Sequence, residues 1–82
     1  MLLIRGDKMI PLNTINSGEI VYIKSLNGGK KFIQRVSDLG FTPNAEIRVV
    51  ENSFRGPIMV VVKESKIALG PGEASKIIVY KK

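Results

Sequence analysis

From Glu19 to Leu26 the apolar positions are, Leu26 apart, β-branched or aromatic, which predicts a strand. The turn cluster Asn16-Ser17-Gly18 opens it and Asn27-Gly28-Gly29 closes it. From about Lys30 the period changes. Phe32, Ile33, Val36 and Leu39 fall on one helical face, while Lys30, Lys31, Gln34, Arg35 and Asp38 face outward. The spacing predicts a helix over about 29–39. Gly40 suits the left-handed residue just past its end, and Val36 and Phe41 then stand where a Schellman motif makes its apolar contact. Thr42-Pro43-Asn44-Ala45 turns the chain, with Pro43 fixing one central residue and Asn44 tolerating positive φ at the next.

The remainder reads mostly as strand. Glu46–Glu51 places Ile47 and Val49 on one face and Glu46 and Arg48 on the other. Asn52–Pro57 is a loop, ending in the turn residues Gly56 and Pro57. Ile58–Val62 is apolar on both faces, as expected of a strand with a neighbour on each side. Lys63–Lys66 predicts a tight connection, although it lacks the Asn-Gly or Asp-Gly of a strong hairpin turn. Ile67–Leu69 is a short strand, Gly70-Pro71-Gly72 breaks it, a helical turn follows near 72–75, and Lys76–Tyr80 is the last strand. About five strands with one inserted helix predict a mainly β fold, a small and strongly bent barrel. Residues 1–8 show no periodicity and read as an appendage; residues 9–82 read as a single domain.

Composition narrows the chemistry. An 82-residue chain builds one thin core. With no Cys and no His, disulfides, zinc fingers, thiolate nucleophiles and Ser-His-Asp triads are excluded. The seven Asp and Glu form no close pair inside an apolar stretch, so they read as solvated positions and the chain as a non-enzyme. Any Fe(II) contact would fall to those carboxylates and be weak. Gly28-Gly29-Lys30-Lys31 lacks the first Gly and the Ser/Thr of a phosphate loop. The longest apolar run, Ile58–Val62, falls far short of the roughly 18–20 residues of a membrane span, so the expectation is a soluble, intracellular protein.

A net charge of +6 favours acidic partners. Lys30, Lys31 and Arg35 form an outward stripe on the predicted helix, and Phe54 with Arg55 offers a second contact on the loop. Aromatic and Arg side chains are the commonest binding anchors. The alternative is a nucleic-acid-binding barrel of the ribosomal or translation-factor type. Of the five aromatics only Phe54 reads as free to stack, however, and single-strand binders use several platforms.

The run Phe32–Asn44, with its Asp38-Leu39-Gly40-Phe41 and Thr42-Pro43-Asn44, resembles the helix and turn of the ferrous iron transport protein A (FeoA) family. Gly56-Pro57-Ile58 is similar to that family's entry to its central strand. Ile67–Leu69 and Ala74–Val79 are similar to its last apolar segments, and Leu12–Gly18 to its opening. The resemblance covers roughly residues 9–80. It implies an SH3-like barrel and a cytoplasmic accessory role in bacterial ferrous iron uptake. The implied partner is the inner-membrane transporter with its cytoplasmic GTPase domain, and a weak association with Fe(II) or another transition metal is implied as well. Asn44 stands where the family usually has Gly. Gly70-Pro71-Gly72 replaces a usually charged stretch, and Glu64-Ser65 stands where a Gly is common.

Overall fold

The computed structural model describes residues 9–81; the predicted appendage, residues 1–8, lies outside them. Six strands form one antiparallel sheet: β1 (Ile10–Pro11), β2 (Ile20–Leu26), β3 (Glu46–Asn52), β4 (Ile58–Val62), β5 (Ser65–Leu69) and β6 (Ile77–Tyr80), in the order β1-β6-β2-β3-β4-β5. Helix α1 (Lys30–Asp38) connects β2 to β3, the single turn α2 (Pro71–Ala74) connects β5 to β6, and a 3₁₀ turn spans Leu12–Thr14. The sequence reading gives about five strands. The sixth is β1, whose two residues pair with Val79 and Ile78 and are too few to show a period.

Val21, Ile23, Ile47, Val49, Val60 and Val79 point from the sheet into the core, where Val36 of α1 and Phe41 meet them. Two bulges bend the sheet around that core, each inserting one unpaired residue. In β2 the pairing steps from Ile23↔Val79 to Ser25↔Ile78, leaving Lys24 over and turning Leu26 inward beside Ile77. In β3 it steps from Val49↔Val60 to Glu51↔Met59, leaving Val50 exposed and turning Asn52 inward.

The helix end follows the sequence reading. Gly40 has φ 109°, Phe41 N–H donates to Val36 O at 2.9 Å, and Gly40 N–H donates to Ser37 O at 3.0 Å. These are the two bonds of a Schellman motif. Leu39 departs from the expectation. As the residue just before Gly40 it lies where the chain leaves the helix, and it stays 43% exposed instead of packing with Phe32 and Val36. The next turn is as expected: Asn44 has φ 68° and Ala45 N–H donates to Thr42 O at 2.9 Å. Asn44 N–H then bonds Ile23 O and Ile23 N–H bonds Ala45 O, tying the turn to β2.

The β4–β5 hairpin closes on two residues, Lys63 (φ 49°) and Glu64 (φ 69°), between the paired Val62 and Ser65. Positive φ at both central positions is the geometry that Asn-Gly adopts with least strain. The double change Lys63→Asn, Glu64→Gly is therefore expected to stabilise the domain by about 1 kcal/mol. That would raise Tm by about 4–8 °C in a scanning-calorimetry comparison; an unchanged Tm would mean the turn carries no strain.

Candidate partner-binding surface

α1 starts at Gly29 without a side-chain cap and without an acidic residue in its first turn. Its first two residues, Lys30 and Lys31, are exposed, and among the described residues neither has an ion-pair partner. The positive end of the helix dipole adds to their charge. Phe32 is half-buried at the edge of the core, with Lys76 Nζ 5.1 Å and the Arg35 guanidinium 5.8 Å from its ring centroid. Lys76 therefore joins Lys30 and Lys31 in one basic region. It lies 46 positions further along the chain, so spacing alone gave no sign of it.

Arg35 is held differently. It is 58% exposed, as expected of an outward position, yet it is ion-paired with Glu73 of α2. The other Glu73 oxygen, Oε1, accepts the Gly70 N–H at 3.2 Å and so caps α2. One carboxylate thus ties α1 to α2. Exposed pairs of this kind contribute well under 1 kcal/mol, so the consequence is geometric: α2 is fixed beside the basic helix. Glu19 pairs with Lys81 in the same way, and that hydrogen bond holds its carboxyl below the ordinary range.

Phe54 and Arg55 lie on the β3–β4 loop, both exposed. The positive φ of this loop falls on Phe54, at 65°, and not on Gly56. A bulky residue there is uncommon and needs support from its surroundings. Asn52 supplies that support. It is only 7% exposed. Its Oδ1 accepts the Phe54 N–H at 2.9 Å, and its Nδ2 donates to Asn13 O at 2.9 Å and Ile15 O at 2.8 Å. Its own N–H donates to Ser17 Oγ at 2.8 Å. Ser53 Oγ accepts the N–H groups of Arg55 and Gly56, completing the turn before Pro57 and β4. Sequence reasoning placed Asn52 in the loop; its two-residue spacing to Phe54, that of an Asx turn, was the available signal.

Beside Phe54 is a cleft of about 130 Å³, lined by Asn13, Thr14, Asn52, Phe54, Gly56, Ile58 and Pro71. Pro71 begins α2, so α2 touches both predicted contacts: Glu73 holds Arg35, and Pro71 lines the cleft with Phe54. The sequence also leaves unannounced a shallow groove of about 540 Å³ on the outer sheet face, lined by Ile20, Glu46, Arg48, Val61, Lys63 and others. Tyr22 and Tyr80 are paired across β2 and β6 near it, ring centroids 5.7 Å apart, and Tyr80 Oη donates to Asn44 Oδ1 at 2.7 Å. Among the described residues, no helix is long and apolar enough to cross a membrane.

Comparison with known proteins gives the family and the fold. The family model described as the FeoA domain matches residues 10–81. A Methanocaldococcus jannaschii protein provisionally named Fe(2+) transport protein A is 35% identical over 71 residues, covering 87% of this chain and 85% of that one. The crystal structure of an iron uptake regulatory protein, FeoA, superposes with a TM-score of 0.85 at 31% identity, covering 92% of this chain and all of that one. The zinc complex of Stenotrophomonas maltophilia FeoA, described as a prokaryotic SH3 domain protein, superposes with a TM-score of 0.76 at 23% identity, covering 85% and 88%. The bent β fold predicted from the strands is this SH3-like fold.

Proposed function

The chain belongs to the FeoA domain family, a family associated with ferrous iron transport, and we propose that it is a cytoplasmic accessory protein that acts by docking on the inner-membrane ferrous iron transporter. The docking site on the transporter would be its cytoplasmic GTPase-bearing domain. In this reading iron is the transporter's cargo, and the chain contributes a surface and not a reaction. The observation that carries it is the run of side chains from α1 across α2 to the β3–β4 loop. Lys30 and Lys31 are exposed and among the described residues have no ion-pair partner, Arg35 is anchored to α2, and Phe54 stands beside the cleft that Pro71 lines. A basic helix face next to an exposed aromatic fits an acidic protein surface with an apolar element.

Capture of the purified cytoplasmic domain tests this. The double reversal Lys30→Glu, Lys31→Glu is expected to abolish capture at physiological salt, and Phe54→Ala to weaken it about tenfold. Both variants should melt close to wild type, since none of these side chains belongs to the core. Arg35→Ala is expected to matter less, because its charge is already answered by Glu73. Full capture by the double reversal, or binding of single-stranded RNA in place of the transporter domain, overturns the reading.

A further inference from the structure

The cleft beside Phe54 has features that the docking reading leaves unused. Its walls are apolar where Phe54, Ile58 and Pro71 line it, and among the described residues no carboxylate lines it. Arg55 adjoins Phe54, exposed, and among the described residues it has no ion-pair partner. Glu73, two residues beyond Pro71, is already committed to Arg35 and to the Gly70 N–H. Arg55 is therefore the charged side chain beside Phe54 that is left to meet a ligand. Asn13 supplies the last feature. Its backbone carbonyl accepts from Asn52, but its side-chain Oδ1 is buried and accepts no hydrogen bond among the described residues. A buried acceptor left unpaired is costly, and this one belongs to a residue that lines the cleft. The last torsion of Asn is broad, so reorientation of this amide is the step that would present the oxygen to a ligand.

We propose that this cleft receives one branched aliphatic side chain of an acidic segment of the partner protein, with a backbone N–H of that segment donated to Asn13 Oδ1 and a neighbouring carboxylate on Arg55. The inference rests on the docking reading and names what its second contact holds. Size supports an aliphatic side chain of the Leu class: apolar cavities of roughly 150 Å³ admit a benzene-sized group, and this cleft is about 130 Å³. Phe54 would be the apolar wall, and the strained loop conformation that Asn52 enforces keeps that wall standing before the partner arrives. Pre-set geometry of this kind lowers the ordering cost of association. Charge complementarity selects the flanking residues, since a basic segment would meet Arg55 with like charge.

The experiment uses the full chain, ¹⁵N-labelled, titrated with acetyl-Asp-Leu-Asp-amide, acetyl-Asp-Ser-Asp-amide and acetyl-Lys-Leu-Lys-amide. The first peptide is expected to shift the Phe54, Arg55 and Gly56 amides and the Asn13 side-chain amide, with a Kd on the order of 1 mM. Asn13→Ala should weaken it about fivefold, the effect of one neutral hydrogen bond. That substitution leaves the Asn13 carbonyl, and hence the loop support, in place. The other two peptides should bind more weakly still. Equal binding of the Ser peptide, shifts confined to the Ile20–Arg48 groove or to Lys30 and Lys31, or no shifts at all overturn the inference. Transporter capture that depends on Lys30 and Lys31 while the peptide fails would remove the cleft and leave the docking reading standing. Peptide binding with no transporter capture would keep the cleft and remove that partner.

Discussion

Gly40→Val is expected to destabilise the domain by about 3 kcal/mol, lowering Tm by about 12 °C or more. Two costs add. The first is conformational: at φ 109° a side chain clashes with its own backbone, and a β-branched one worst. The second is steric. A Cβ built on Gly40 would lie 3.3 Å from Lys63 Cδ and 3.4 Å from Val62 Cγ2, because the β4–β5 hairpin packs over the helix end. The two further carbons of Val would have to push against that hairpin. Gly40→Ala carries the conformational cost and only the first methyl, so it should fall between. Urea unfolding with a fitted m-value checks the order wild type, Ala, Val. A Val variant within 1 kcal/mol of wild type would mean the helix end can rebuild without its Schellman bonds.

That glycine was legible because a local rule fixed it. An amphipathic face stops, a Gly and an apolar residue follow, and three residues on come Pro43 and Asn44. Each of these acts within a few residues of itself, so sequence order is enough. The bulges are a different case. Reading Ile47 and Val49 inward is correct, but carrying the same alternation forward puts Glu51 in the core. The extra residue at Val50 resets the phase and brings Asn52 inward instead. In β2 the shift from Ile23 to Leu26, three residues apart on the inner side, is the trace such a bulge leaves. Leu39 misled for a related reason: a helical period assigns a face only while the helix lasts. On the candidate surface, Lys30, Lys31 and Phe54 were readable as exposed. The Arg35–Glu73 pair, 38 residues apart, and the approach of Lys76 to Phe32 depend on how α2 returns to α1. No periodicity encodes that return.

Asn52 is the residue on which fold and candidate site meet, and its replacement should show both. Asn52→Ala removes three hydrogen bonds at once, to Asn13 O, Ile15 O and Phe54 N–H. The groups it abandons are buried or part-buried, so a loss of about 3 kcal/mol is expected. Phe54 would lose the bond that holds its φ of 65°, and binding of acetyl-Asp-Leu-Asp-amide at the cleft should fall with it, measured below the variant's melting range. Asn52→Asp separates the donor role from the acceptor role. The introduced carboxyl can still accept from Phe54 N–H, but its second oxygen faces two carbonyl oxygens that the amide had satisfied. Repulsion and burial then disfavour the ionised form in the folded state, raising its pKa above the unfolded value of about 3.9. A raised folded pKa gives a contribution that is fully present below the unfolded pKa and lost as pH rises toward the folded one. Relative to wild type, the Asp variant should therefore be least destabilised near pH 3, where a protonated carboxyl can donate to one of the carbonyls. It should weaken progressively from about pH 4 upward until the carboxyl is ionised in both states. Urea midpoints of the two proteins across pH 3–7 measure this difference directly. A deficit that does not change with pH would mean that the side chain has swung out to solvent, and that Asn52 does not clamp the loop.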